Sequence, residues 1–284
     1  VLIGPRSAVF APFERLGLII MDEEHESAYK SETAPRYETR DVAYERARLA
    51  GCPVLYGSAT PSLTIYSAAL RGEVQLLELL TRAHAGAQLA ETEIIDLREE
   101  LAKGNRSILS ERLYTLMQEK LERKEQIMLF MNRRGYSNFV SCRSCGEALK
   151  CPHCDITLTL HRDGSLRCHY CGYQTRLMKL CPSCGSPYLA SFGFGTEKLE
   201  SYVKKVFPTA SVLRMDADTT KRKGDHERIL EKFRKHQADI LIGTQMIVKG
   251  HDFPDVTLVG LIAADLNLSA PDFKASERTF QLLT

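Results

Sequence analysis

A strong charge of one sign, a long apolar run and low-complexity sequence are all missing from these 284 residues. The formal net charge is +2, so no global basic field marks a nucleic-acid partner, and any affinity for phosphate has to come from local patches. The longest apolar stretches, such as residues 256–264, fall far short of the roughly 20 residues that span a bilayer. No internal repeat occurs apart from a recurring cysteine pair. An initiator Met and a signal peptide are also missing: Val1 opens directly on an apolar run, and the sequence stops at Gln281-Leu282-Leu283-Thr284 inside a helical pattern. The expectation is therefore a chain cut at both ends from a longer protein. What is present is an ordinary globular balance, 44% apolar and 26% charged, in a length that suits about two domains.

The cysteines are unevenly placed. Cys52 stands alone before Pro53 and reads as a small core residue; the other eight form four Cys-x-x-Cys pairs within residues 142–184. Disulfide scaffolds rarely use this spacing in a chain of this length, whereas metal sites do, which implies a reducing, cytoplasmic setting. The pairs are Cys142/Cys145, Cys151/Cys154, Cys168/Cys171 and Cys181/Cys184. Two intervening residues let both thiolates reach one tetrahedral zinc at about 2.3 Å, so eight thiolates suit two structural Zn²⁺ ions. Ile156, Leu158 and Leu160 alternate before an Asp163-Gly164 turn, with Leu166 and Cys168 on the return. That hairpin favours a nested arrangement, with Cys151, Cys154, Cys168 and Cys171 on one metal and Cys142, Cys145, Cys181 and Cys184 on the other. Consecutive pairing, first with second and third with fourth, is the alternative. His153, His161 and His169 then find no vacant position. Residues 133–179 carry eight Lys/Arg against three Asp/Glu, but each four-thiolate zinc site adds two negative charges. The module is thus no strong phosphate clamp; protein docking or base stacking through Tyr170 and Tyr173 fits better, and closed sites exclude catalytic zinc. The bland alternative is that zinc merely staples a segment too small to fold alone.

Elsewhere apolar runs alternate with helical patterns, which points to buried parallel strands and crossover helices. Strands are expected at residues 16–22, 53–56, 126–131, 211–215, 239–243 and 256–262, with a further possible one at 92–96. Helices are expected at 40–50, 63–70, from Ser110 onward, 195–207 and 225–236. Residues 18–25, LIIMDEEH, place two carboxylates, Asp22 and Glu23, at the C-terminal end of a strand, where open α/β sheets bind ligands. An acidic strand end is usually no more than solvated surface. Here it is followed, at the end of the next apolar strand, by Gly57-Ser58-Ala59-Thr60, small hydroxyl residues able to bond the acidic cluster. Asn132-Arg133-Arg134-Gly135-Tyr136 and the string 242–253, IGTQMIVKGHDF, come later in the same order.

Together DEEH and GSAT resemble superfamily-2 helicases of the DEAH-box kind. The 242–253 string, GPRSAVFAPF near the start and the eight-cysteine insertion after NRRGY closely resemble the PriA-type, primosomal replication-restart DNA helicases across essentially the whole chain. That resemblance implies an α/β protein with two RecA-like parallel-sheet lobes, the first incomplete, and the two-zinc insertion inside the second. The corresponding segments are 1–80 (first lobe), 81–109 (connection), 110–141 (start of the second lobe), 142–187 (zinc insertion) and 188–284 (remainder of the second lobe). It implies ATP with Mg²⁺ as cofactor, Asp22 for magnesium and Glu23 for water activation, and coupling through His25 and Gly57, Ser58, Ala59 and Thr60. Gly250 and Asp252 would approach the nucleotide. Arg6, Ser7, Thr244 and Gln245 would touch DNA backbone, and Arg36 and Tyr37 belong to a stretch, 29–37, that resembles the family's loop sensing single-stranded DNA. The implied activity is ATP-dependent, 3′→5′ unwinding at stalled forks by a monomer. The implied partners are forked DNA, single-strand DNA-binding protein and other primosome proteins, with no membrane. The sequence departs from the family in having no Gly-Lys-Thr/Ser phosphate loop and no arginine-finger motif, so these 284 residues alone are expected not to hydrolyse ATP. The competing readings are a non-catalytic, zinc-dependent DNA- and protein-binding module, and a plain zinc-ribbon scaffold that leaves DEEH and GSAT unexplained.

Overall fold

In the computed structural model the described residues are 1–81, 90–131, 139–161, 163–191, 195–222, 224–244, 253–264, 268 and 272–284. The chain divides into two compact units, Val1–Leu89 with Phe280–Leu282 and Thr284, and Ala90–Thr279 with Leu283.

In the first unit, β1 (Ile19–Met21) runs into a turn, helix α1 (Thr39–Ala50) crosses over, and β2 (Val54–Tyr56) returns parallel to β1 with Met21 opposite Tyr56. The β-branched and apolar composition of both runs suits a pleated, buried surface. Met21, Val9 and Ala43 close the small core, with Tyr29, Tyr37 and Tyr56 packed around them. Arg46 on α1 donates to the carbonyls of Val9 and Ala11, which fixes the 3₁₀ turn Arg6–Phe10 against the helix. Helix α2 (Leu63–Leu70) starts at Ser62, whose hydroxyl accepts from the Ile65 amide. Cys52 is half-buried rather than a core residue.

The second unit begins with a feature that the sequence pattern did not predict. Residues 92–96 form no strand; Asp96 instead caps a short helix, α3 (Leu97–Ala102), by accepting from the Arg98 amide. The run Glu93-Ile94-Ile95 looks strand-like, but no strand among the described residues partners it, and the aspartate that follows is a better cap than a ladder residue. Ser110 then caps α4 (Glu111–Glu122), bonding the Leu113 amide and burying Met117. Strand β3 (Gln126–Met131) is buried almost throughout, as both faces of a central parallel strand must be.

The cysteine module follows. Strands β4 (Val140–Cys142), β5 (Thr159–Leu160), β6 (Ser165–Arg167), β7 (Gln174–Arg176) and β8 (Leu189–Ser191) make two small antiparallel sheets, β4–β8 and β5–β6–β7. The hairpin over Asp163-Gly164 forms as expected, and β7 extends it to three strands. The β4–β8 pair closes the insertion at its base.

The lobe then resumes with α5 (Thr196–Val206), β9 (Val212–Met215), α6 (Asp225–Arg234), β10 (Ile240–Gly243), β11 (Val256–Ile262) and α7 (Ala275–Leu283). The strand order is β11–β3–β10–β9, all parallel. Leu109, Met117, Ile127, Leu129, Leu199, Val203, Ile240 and Ile242 form its core. Gln126 is the polar exception: its buried side-chain amide donates to the carbonyls of Phe233 and Ala238, satisfying the end of α6. Gly260 on β11 has no room for a side chain, since a Cβ there would stand 2.8 Å from the Leu129 side chain and 3.1 Å from Leu113. No helix among the described residues is long and apolar enough to cross a membrane.

Candidate motor site and cysteine centres

Asp22 and Glu23 are exposed at the end of β1, and the residues after β2 come directly beside them. The Gly57 amide donates to the Met21 carbonyl at 2.8 Å, and the Glu24 amide to the Gly57 carbonyl at 3.1 Å. A Cβ at Gly57 would stand 3.6 Å from the Asp22 carboxylate, in ordinary van der Waals contact, so the second loop lies directly against the acidic turn. His25 Nδ1 lies 2.7 Å from Ser58 Oγ and 3.5 Å from Glu23 Oε2. Ser58 Oγ also accepts from the Thr60 amide at 3.0 Å, while Ala59 is exposed. Acidic turn and hydroxyl loop are thus one hydrogen-bonded unit. Glu23 sits in left-handed backbone at φ 49°, a costly conformation for a residue with a side chain.

The roles of Glu24 and Tyr29 in this unit escaped the sequence reading. Glu24, unlike its neighbours, is buried; its carboxylate accepts from the Ser62 amide and, at 3.0 Å, from the Ser62 hydroxyl, with Arg40 3.8 Å away. It anchors the end of the hydroxyl loop where α2 begins. Tyr29 donates its hydroxyl to the Asp22 carbonyl at 2.7 Å. Burial, then the charges of Asp22 and Glu23, raise the Tyr29 pKa and keep it a donor. The available signal was the third carboxylate of the acidic run, paired with the helix-starting serine.

The other sequence-predicted residues are dispersed. Arg6 donates to the carbonyls of Lys30 at 2.7 Å and Ala28 at 3.4 Å, so its guanidinium is held inside the first unit, and Ser7 is exposed. Tyr37 packs edge-on against Phe10 at 4.9 Å, and Arg36 beside it is exposed. Thr244 is half-buried just after β10. Gln245, Gly250, Asp252 and the segment 132–136 lie outside the described residues.

The eight paired cysteines converge in two groups. Cys142, Cys145, Cys181 and Cys184 form one, and Cys151, Cys154, Cys168 and Cys171 the other; within each, all sulfurs lie within 4.8 Å of one another. This is the nested arrangement. Cross-pair Sγ···Sγ distances are 3.6 Å for Cys142–Cys184, 3.8 Å for Cys145–Cys181 and 3.5 Å for Cys151–Cys171. Four ligands at about 2.3 Å around a tetrahedral ion stand about 3.8 Å apart, so the donor type and spacing both fit zinc. Each knuckle repeats one turn: the amides of Gly146, Asp155, Gly172 and Gly185 donate to the carbonyls of Cys142, Cys151, Cys168 and Cys181. All four turn residues have positive φ, between 54° and 80°, with aspartate replacing glycine in the second knuckle.

Backbone N–H groups converge on the sulfurs of Cys142 and Cys168, the first cysteines of their knuckles. Burial raises the Cys142 pKa, but the amides of Cys145 and Ser144 overcome it and bring the thiol down to about 6. For Cys168 the Cys171 amide outweighs burial and lowers the value to about 7. Their partners move the other way: Cys154 is raised to about 12, first by its contact with Cys171. The histidines take no part, as expected. His161 and His169 meet each other at 3.3 Å, and His153 packs edge-on against Tyr173. That contact qualifies one expectation: Tyr173 is half-buried and packs against the module's core, whereas Tyr170 is 82% exposed and open to a stacking partner.

Comparison with known families bears on the second unit and on the chain as a whole. Residues 151–176 match the PriA DNA helicase Cys-rich region domain, which takes in the inner group, and residues 191–279 match the helicase conserved C-terminal domain. The full chain is 52% identical over 284 residues to the replication restart protein PriA of Bacillus subtilis, covering 35% of that protein. The chain belongs to the PriA family. Further PriA relatives include that of Synechocystis, 46% identical over 294 aligned residues and 35% covered, and that of Haemophilus influenzae, 44% identical over 283 residues and 38% covered. The chain spans about a third of the length of these PriA proteins. Its second unit is accordingly the RecA-like C-terminal helicase lobe of the PriA family, interrupted by a zinc-binding insertion with two four-cysteine sites.

Proposed function

We propose that the whole protein is an ATP-dependent DNA helicase of replication restart, moving 3′→5′ at stalled forks, in which Asp22 and Glu23 are the acidic pair of the motor. The observation that carries this reading is the bonded unit at the ends of β1 and β2, where His25 meets Ser58 at 2.7 Å beside two exposed carboxylates. Magnesium-bound ATP supplies the phosphoanhydride and the metal charge that such a site acts on. Asp22 would hold the cation, and Glu23 would orient a water and accept its proton. Because His25 bonds Ser58 and Ser58 accepts from the Thr60 amide, a change at the acidic turn reaches the hydroxyl loop without an intermediary. Arg36, Ser7, Thr244 and Gln245 are the proposed DNA-backbone contacts, and Gly250 and Asp252 the proposed nucleotide contacts of the second unit. Arg6 and Tyr37 would act there by shaping the loop that carries Arg36. Partners of the whole protein are forked DNA, single-strand DNA-binding protein and other primosome components, met in part through Tyr170.

The test is Asp22→Asn and Glu23→Gln in the whole protein. Each should lower DNA-stimulated ATP turnover by about 10³-fold or more, the scale on which single motor groups act, while zinc content and DNA binding persist. Turnover near the parent rate in both variants would remove Asp22 and Glu23 as the acidic pair, whereas a parent protein without DNA-stimulated turnover would favour a binding module without motor activity. A polypeptide of these 284 residues alone should show no turnover.

A further inference from the structure

The two cysteine groups differ in what their knuckles touch. Arg143 lies inside the first outer knuckle, between Cys142 and Cys145, and its guanidinium leaves the module. Nη1 donates to the Arg106 carbonyl at 2.9 Å and Nη2 to the Ser107 carbonyl at 3.2 Å. Tyr188 stands just beyond the second outer knuckle; its carbonyl accepts from the Arg143 amide at 2.9 Å. Its hydroxyl accepts from Arg106 Nη2 at 2.8 Å, and the Arg106 guanidinium lies 5.1 Å from the Tyr188 ring centroid. Arg98 on α3 completes the contact, because a Cβ added to Gly146 would meet its side chain at 3.5 Å. From the other side Ser107 Oγ meets Tyr202 at 2.7 Å, and the buried Glu100 accepts from Asn105 and the Glu111 amide.

We propose that the outer cysteine site is a zinc-dependent latch, which uses Arg143 and Tyr188 to hold residues 97–109, the segment following the boundary between the two units. The direction in which Arg143 leaves its knuckle is set by the sulfurs on either side of it. Occupancy of Cys142, Cys145, Cys181 and Cys184 therefore decides whether two backbone carbonyls of the segment keep a charged donor. Arg143 is a positioning residue: it touches no nucleotide or DNA in this scheme. The module thereby does more than staple itself, because metal in its outer site orders chain that lies more than thirty residues earlier.

The latch rests on zinc filling the outer site, so metal is counted separately from latch function. Trypsin cleavage after Arg106 under native conditions reports the open population of the segment when closing is fast. Arg143→Ala should keep two zinc equivalents and raise the cleavage rate about tenfold or more, since charged hydrogen bonds to the two carbonyls are lost. Cys184→Ala, at an exposed ligand, should lose one equivalent and raise it similarly. Retained zinc with parent-rate cleavage in Arg143→Ala overturns the latch alone, as does loss of one equivalent in Cys184→Ala without faster cleavage. A parent protein that takes up no zinc refutes the metal assignment, and the latch with it.

Discussion

The parallel sheet of the second unit and the cysteine module inserted in it share a chain but not a means of support. The sheet closes over Met117, Ile127, Leu129, Leu199, Val203, Ile240 and Ile242, each fully buried. The module closes over Val140, Leu149, Leu158 and Leu166, and the other two members of its core, Cys151 and Cys168, belong to the inner four-cysteine group. At about 25 cal/mol per Å² of apolar surface, four aliphatic side chains do not offset the entropy of ordering some forty residues. Burial suffices for the lobe, whereas the module has to add coordination bonds. The lesson is that the two parts should fail under different insults.

Chelation is the largest way to separate them. Structural zinc contributes about 10–16 kcal/mol to small metal-folded units, so its removal should abolish the β5–β6–β7 sheet while the β11–β3–β10–β9 sheet remains. Amide exchange resolved by segment reads this, and simultaneous loss of both sheets would break the comparison. Leu129→Ala makes the converse test: a cavity at a fully buried position should cost the lobe about 2–5 kcal/mol in denaturant unfolding and leave two zinc equivalents bound. Gly260→Ala is the smallest. Its added methyl meets Leu129 and Leu113, and overpacking of this kind costs about 1–3 kcal/mol; a stabilised variant would show that the lobe core has slack.

How much of this was legible depended on whether the deciding signal was local. The strands 126–131 and 239–243 and the helix after Ser110 announced themselves by apolar runs and a capping hydroxyl, because parallel strands buried on both faces leave little freedom in composition. The hairpin at Asp163-Gly164 was equally local, and it was the argument for the nested cysteine arrangement. Residues 92–96 misled because Ile94 and Ile95 have strand propensity but find no partner strand among the described residues, which only tertiary structure reveals. Tyr173 was taken for a surface ring because nothing nearby in sequence shows that His153, twenty residues away, comes to pack on it. The proximity of Asp22, Glu23, His25 and Ser58 was anticipated from motif order, since a parallel β–α–β unit brings consecutive strand ends together. Glu24 was not: the third carboxylate and the helix-starting serine are both legible in the sequence, but only the fold shows that they meet.

The burial of Glu24 has a practical consequence for genetics. Removing the Glu24 carboxylate would leave both outward carboxylates chemically intact yet release Ser62 and loosen the foot of α2. A defect at this position would then resemble a lost reacting group in an activity screen, although its origin is architectural. Only rescue by compensating contacts to Ser62, with no recovery from added magnesium, would tell the two apart.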